Sequence, residues 1–275
     1  MNFKKTVGAV VALGLTAMST NAFATGGFAL TTDQRLVRFQ VNDPSTARVV
    51  RALSGFTNGD TALVGIDTRV QDGALYGVGN NGGIYRISTT NASMTLVNTL
   101  TVTLSGTRFG VDFNPAADRL RIISDNGQNL RHNLAGTTLA DDALDYAPGT
   151  PLNSQGATVS GVISAAYTNN DLNSTTGTTM FVVDGNLNQV ALQSPPNNGS
   201  LVATGALGVD PTDSVGFDIF TNFDPNNGTI VNNVGYATLL SGNSANLYRV
   251  NVLTGTASLV GTLAFPIMDI ALRIE

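Results

Sequence analysis

Short apolar segments separated by turn clusters recur along this chain in sets of four, and a chain built of such sets has few ways to bury them. One set reads Gly65-Ile66-Asp67, Leu75-Tyr76-Gly77-Val78, Ile84-Tyr85-Arg86-Ile87 and Thr95-Leu96-Val97. The next reads Gly110-Val111-Asp112, Leu120-Arg121-Ile122-Ile123, Leu130-Arg131-His132-Asn133 and a weaker segment near Leu139. A third runs through Ala165-Ala166-Tyr167, Met180-Phe181-Val182-Val183, Leu187-Asn188-Gln189-Val190 and Ser200-Leu201-Val202, and a fourth through Gly216-Phe217-Asp218, Gly235-Tyr236-Ala237-Thr238, Leu247-Tyr248-Arg249-Val250 and Ser258-Leu259-Val260. Runs this short and β-branched, with no sustained helical period between them, are strands. Four strands in about 45–55 residues is the size of a propeller blade.

The two ends of the chain complete the count. The amino-terminal side offers the later strands of a unit (Gly27 to Leu30, Leu36-Val37-Arg38-Phe39, Arg48-Val49-Val50), and the carboxyl end offers an opening strand, Ile267-Met268-Asp269-Ile270. Joined, they make a fifth blade that closes the ring and leaves no long sheet edge unpaired. The expected fold is therefore all-β: a single propeller of five four-stranded blades, closed by amino- and carboxyl-terminal strands sharing one blade. A six-bladed count and an open β-solenoid are the alternatives.

The first residues read differently. Lys4 and Lys5 precede a short apolar stretch from Val7 to Ala17 and the A-x-A pattern Ala22-Phe23-Ala24, the plan of a secretory leader. The division expected is a signal peptide over 1–24 and a propeller domain over 25–275. Loss of the leader removes both lysines and moves the net charge from −5 to −7, a balance that argues against nucleic acid or an anionic membrane as partner. With no cysteine there is neither a disulfide staple nor a lipid anchor, so an exported chain must rely on its packed core. No other stretch is apolar enough to span a bilayer, and the protein is expected free, as a monomer, in the periplasm or outside the cell.

Leu63-Val64-Gly65-Ile66-Asp67, the stretch from Phe109 to Arg131, Pro195-Pro196-Asn197-Asn198-Gly199 and the stretch from Gly205 to Asp218 resemble the secreted bacterial family catalogued as domain of unknown function 4394. The resemblance implies export and a β-propeller-like fold. It brings no established activity, and so no catalytic residue.

Four aspartates are the strongest candidate site. Asp67, Asp112, Asp218 and Asp269 hold one place on four opening strands, with Ala166 in the fifth. Opening strands line a propeller axis, so four carboxylates are expected to ring the channel. They would either hold a cation or polar ligand through oxygen donors, or each would bond an unpaired backbone N–H of the neighbouring blade. Arg69, Arg108 and Arg273 lie two or four residues from an aspartate, on the same strand face, and are expected to neutralise the ring and repel a metal.

His132, the only histidine, aligns in this reading with Arg38, Arg86, Gln189 and Arg249, which predicts a structural position with its head in water. Phe28, Tyr76, Phe181 and Tyr236 share one place on the second strand and predict packing between blades; Arg121 interrupts that row. Asp184-Gly185-Asn186-Leu187-Asn188 has the opening of a calcium loop but sits where a hairpin turn belongs. Three insertions stand out, over 145–159, 168–178 and 221–233. The last two should lie side by side on one face. Their Asp171, Asn173, Asp224 and Asn226 offer oxygens suited to sugar hydroxyls or to calcium, the one cofactor the sequence would admit.

No nucleophile–base pair and no His/Cys cluster is present. The expected function is that of an exported, non-catalytic binding or scaffold protein of the periplasm, envelope or matrix, with carbohydrate or an envelope or matrix protein as partner. The alternative is a glycoside hydrolase using the axial aspartates as its carboxylate pair. Glu275 is the only glutamate and no tryptophan is available for sugar stacking, which weighs against it.

Overall fold

The computed structural model describes residues 26–146, 159–173, 176–211, 214–224 and 226–274. The proposed leader over 1–24 and most of the 145–159 insertion lie outside the described residues. The first strands are β1 (Gly26–Thr31), β2 (Arg35–Gln40) and β3 (Asp43–Ala52). Then come β4 (Leu63–Arg69), β5 (Ala74–Gly79), β6 (Gly83–Ile87) and β7 (Met94–Thr99), followed by β8 (Phe109–Asn114), β9 (Arg119–Ser124), β10 (Asn129–His132) and β11 (Thr138–Ala140). A short β12 (Asp145–Tyr146) precedes β13 (Val162–Tyr167), β14 (Met180–Asp184), β15 (Gln189–Gln193) and β16 (Ser200–Ala206). Last are β17 (Val215–Phe223), β18 (Ile230–Ser241), β19 (Ser244–Val250), β20 (Ala257–Leu263) and β21 (Ile267–Leu272).

These strands form five separate sheets. Four are simple antiparallel meanders, β4 to β7, β8 to β11, β13 to β16 and β17 to β20, the third of them extended by β12 in parallel on its outer edge. The remaining sheet has the order β21-β1-β2-β3. The carboxyl-terminal strand is thus its innermost member, with Phe28 opposite Ala271 and Leu30 opposite Asp269. The molecule is the five-bladed propeller that the strand count predicts, and its ring is closed within one blade by both ends of the domain.

The core lies between blades rather than within them. Each of the five blade junctions holds one apolar cluster, for example Tyr76, Val78 and Ile84 of the second blade against Val111, Phe113 and Ile122 of the third, or Phe181 and Val183 of the fourth against Phe217 and Ile219 of the fifth. Both faces of every sheet are therefore covered near the axis. This is why the inner strands are apolar almost throughout while the outermost, such as β7 and β20, keep an exposed face. Phe28, Tyr76 and Phe181 sit inside these clusters, and Tyr236 packs against another, as their shared place on the second strand implies.

Near the axis the inner strands touch. A side chain at Gly110 would put its Cβ 2.6 Å from the backbone nitrogen of Ala165, and one at Gly216 would lie 2.7 Å from the Cα of Asp269. The recurring Gly-x-Asp opening therefore has a mechanical sense. The glycine lets two inner strands approach, and the aspartate two residues on reaches across the gap.

Candidate functional site

The aspartates of β4, β8, β17 and β21 converge on the axis at one level, as their place in the repeat predicts. Each is between 2 and 6% exposed, and each accepts a main-chain N–H from the inner strand of the following blade. Asp67 Oδ2 takes that of Phe113 at 2.7 Å, Asp112 Oδ1 that of Tyr167 at 3.1 Å, Asp218 Oδ2 that of Leu272 at 2.6 Å, and Asp269 Oδ2 that of Ile66 at 2.8 Å. Three of them also accept, through the other oxygen, the next N–H of their own strand: Thr68 at 2.6 Å, Ile219 at 2.6 Å and Ile270 at 2.9 Å. The ring thus stitches four of the five junctions together, using N–H groups that no sheet partner could reach. At the junction of the fourth and fifth blades, where Ala166 has no carboxylate, Asn170 does comparable work from the loop beyond. Its N–H donates to Thr221 Oγ1 at 3.0 Å and its Nδ2 to the Ile219 carbonyl at 2.9 Å.

Carboxylates this close raise one another's pKa. Oxygens of Asp67, Asp112 and Asp218 lie within 4.8 Å of one another, the one acidic trio with metal-ligand spacing among the described residues. Burial pushes Asp218 up to about 7, against the pull of its two N–H donors. Burial and the Asp218 charge hold Asp67 well above the carboxylate range, burial and the Asp67 charge do the same for Asp112, and burial raises Asp269. The ring carries less negative charge at neutral pH than four carboxylates would suggest. Most of its oxygens are already engaged by N–H groups. Asp112 Oδ2 is the ring oxygen that receives no hydrogen from the described residues, and it is the one most open to a cation.

The expected arginine partners are not there. Arg69 is turned outward to Asp118 at 2.6 Å and Asp72 at 3.0 Å, Arg108 approaches Asp125 at 3.5 Å, and Arg273 is exposed. Sharing a strand face is not sharing a level. Two to four residues along a strand shift a side chain by about 7 to 13 Å, which carries these guanidiniums to the ends of the channel.

His132 also departs from expectation. Pairing of β9 with β10 puts Arg131, not His132, opposite Arg121, as Arg38 is opposite Phe28 and Arg86 opposite Tyr76. In the fourth blade Leu192, not Gln189, faces Phe181. His132 instead faces Leu120, as Ile87 faces Leu75, and it is 0% exposed. Its Nδ1 is 2.9 Å from Thr138 Oγ1, its Nε2 has no partner among the described residues, and burial lowers its pKa. The difference is one residue at His132 and three at Gln189, and an odd slip in a strand moves a side chain to the opposite face.

The turn reading of residues 184–188 agrees with the geometry. Asp184 Oδ1 accepts the N–H groups of Asn186 and Leu187, both at 3.0 Å, while Tyr146 donates its hydroxyl to Oδ2 at 2.9 Å.

On the face where the inner strands end, the loop after β13 meets the outer end of the β17–β18 hairpin; of the insertion expected over 221–233, Thr221 to Phe223 and Ile230 to Asn233 are paired strand, and only 224–229 connect them. Asn169 and Asn233 exchange hydrogen bonds at 3.1 and 2.8 Å, and Thr221 donates to Asn233 at 2.8 Å. The carboxylates expected to bind there are spent locally. Asp171 Oδ1 accepts the N–H of Asn173 at 2.8 Å, and Asp224 Oδ1 accepts the N–H and Nδ2 of Asn226 at 2.8 and 3.0 Å. Asp171 and Asn173 stay in one loop, Asp224 and Asn226 in the other. What the β13 loop, β18 and the turn after β19 frame is a groove of about 960 Å³ between the fourth and fifth blades, with Phe181, Leu192 and Val252 in its floor and Asn169, Asn233, Arg249 and Asn251 among its walls.

A closed five-bladed propeller with an axial carboxylate ring and a built-up loop face is the class of protein these features define. The chain belongs to the family described as domain of unknown function (DUF4394), whose model matches residues 35–271. A search of the curated proteins finds no match. Among solved structures the chain is similar to a structural-genomics protein of unknown function from Bacteroides thetaiotaomicron, with 15% identity and a TM-score of 0.47 over 86% of this chain and 58% of that one. It is also similar to TolB from Acinetobacter baumannii (12% identity, TM-score 0.47, 92% of this chain and 67% of that one) and to a protein from Lactobacillus plantarum (12%, 0.43, 91% and 100%). The chain thus spans less than two thirds of the Bacteroides protein's length.

Proposed function

We propose that the protein is an exported, non-catalytic binding module that captures a glycan on its loop face, in the periplasm, envelope or matrix, as a monomer without a resident cofactor. The observation that carries this reading is the groove between the fourth and fifth blades. Its apolar floor of Phe181, Leu192 and Val252 suits the C–H faces of a sugar, and its amide and guanidinium walls suit hydroxyls. Hydrolysis by the axial aspartates has less support. A glycosidase needs two carboxyl groups about 5–10 Å apart that flank an accessible bond. Here the ring is buried and its oxygens hold main-chain N–H groups.

A glycan array probed with and without calcium, followed by assay of reducing-sugar release, tests the reading. Capture that is independent of calcium, without release, and lost in Arg249→Ala is the expected result. Released sugar would replace the module with an enzyme. Capture unchanged in Arg249→Ala would move the site elsewhere.

A further inference from the structure

Arg121 occupies the place where the other blades carry Phe28, Tyr76, Phe181 and Tyr236, and it is only 4% exposed. A guanidinium buried that deeply needs partners for its five N–H groups. Nη1 donates to Asp141 Oδ2 at 2.7 Å and Asn129 Oδ1 at 2.8 Å, Nη2 to Asn197 Oδ1 at 2.7 Å, and Nε to the Tyr167 hydroxyl at 3.3 Å. One Nη2 hydrogen remains. Beside it is a pocket of about 210 Å³ between the third and fourth blades, whose walls include Arg119, Arg121, Arg131, Tyr167 and Asn197.

The charge in this pocket does not balance. Asp141 is the carboxylate that pairs with its arginines, and it is shared: Oδ2 holds Arg121 and Oδ1 holds Arg131 Nε at 2.9 Å. The terminal nitrogens of Arg131 find no protein acceptor among the described residues. Arg119 spends Nη1 on the carbonyls of Ala117 and Asp118, at 3.2 and 2.9 Å, and no carboxylate among the described residues pairs with it there. Three guanidiniums therefore surround one small cavity with a single acid between them. The donor set is made of planar forks, which match oxygens held on one centre. The amide of Asn197 adds to it, since its oxygen is turned to Arg121 and its Nδ2 is left over.

We propose that this pocket binds an oxyanion group, a carboxylate, sulfate or phosphate, gripped by Arg119 and Arg131 and oriented by the fixed Arg121. The cavity is smaller than the roughly 300–1,000 Å³ of a drug-sized site, so it takes a head group rather than a whole oligomer. The inference does not depend on the glycan reading, because its residues lie at a different blade junction.

The test titrates the full exported chain with inorganic sulfate, inorganic phosphate and glucuronate by calorimetry, at ionic strength matched with chloride. Saturable binding of at least one, near one per chain, is the expected result. Glucuronate alone would mark a carboxylate ligand, and sulfate or phosphate a tetrahedral one. Arg131→Gln and Arg119→Gln should each weaken binding by about tenfold to a hundredfold, the worth of a charge-assisted hydrogen bond; the anion-free melting temperature should be unchanged in Arg119→Gln and lowered by a few degrees in Arg131→Gln, which gives up the bond to Asp141. Arg121→Gln should abolish it but also disturbs the packed network, so the two rim variants are the decisive ones. No saturable binding by any of the three anions would overturn the proposal, as would wild-type affinity in the Arg119→Gln/Arg131→Gln double variant.

Discussion

Replacing Asp218 by Asn should destabilise the protein in mild acid and much less in mild base. Asp218 engages two buried N–H groups, those of Ile219 and Leu272, each at 2.6 Å. An amide keeps one acceptor and turns a second donor toward the other N–H, so one buried donor loses its partner at a cost of about 1–3 kcal/mol. The carboxyl has its own cost, however. Its pKa is pushed up to about 7 from an ordinary 3.8, chiefly by burial. A raised carboxyl binds its proton more tightly folded than unfolded, so the stability it contributes is full below about pH 3.8 and is lost as pH rises through about 7. A shift of this size corresponds to roughly 4 kcal/mol across that window. Asp67, Asp112 and Asp269 are raised in the same sense, and the Asp218 charge adds to each. The wild-type protein should therefore melt progressively lower from pH 5 to pH 8. Asp218→Asn should melt several degrees below wild type at pH 5, at about 2–4 °C per kcal/mol for a domain this size, and should approach or overtake it at pH 8. Scanning calorimetry of both proteins at half-unit pH steps measures this, and their difference cancels His132. A difference that does not change between pH 5 and 8 would refute the account of a partly protonated ring.

Three further outcomes follow from the same geometry. Deleting residues from Ile267 onward removes β21 and exposes the inner edge of β1, so the truncated chain should lose its cooperative melt or aggregate; an unchanged melt would contradict closure through this strand. His132 is buried with Nε2 unpartnered among the described residues and its pKa lowered by burial, so it opposes folding as pH falls below about 6.5. His132→Leu should keep the melting temperature within a few degrees at pH 7.5 and exceed wild type at pH 5, and a variant that failed to fold would show the Thr138 contact to be essential. Millimolar calcium should leave the melting temperature of the wild type and of Asp112→Ala unchanged, since main-chain N–H groups engage most of the ring oxygens. A clear rise in wild type alone would make the trio of Asp67, Asp112 and Asp218 a metal site.

Blade count, closure and the level of the aspartates were legible because they depend on spacing. A repeat that places Asp67, Asp112, Asp218 and Asp269 alike must place them alike around the axis, and Gly110 and Gly216 mark where neighbouring strands come close. The slip at His132 shows where spacing stops. The third strands carry Arg131-His132 and the run from Gln189 to Gln193 with no turn residue to fix which member faces Arg121 or Phe181, and only the pairing of β9 with β10 and of β14 with β15 decides it. Arg121 was visible as an interruption of an aromatic row, but its meaning needed partners distant in sequence: Asp141 and Asn129 from its own blade, Tyr167 and Asn197 from the next.

The order of strands, the five-blade ring and the identity of its axial residues were thus contained in the sequence by itself, since local periodicity and the need to bury both faces of every blade admit few other arrangements. Which charges meet was decided only by tertiary structure. Arg69 and Arg108 share a strand face with axial aspartates yet bind Asp118 and Asp125 elsewhere, whereas Arg119, Arg121 and Arg131 gather around one cavity. A pairing of charges depends on distances of a few ångströms between different strands, and these are set by twist, stagger and the approach of neighbouring blades, none of which a one-dimensional pattern records.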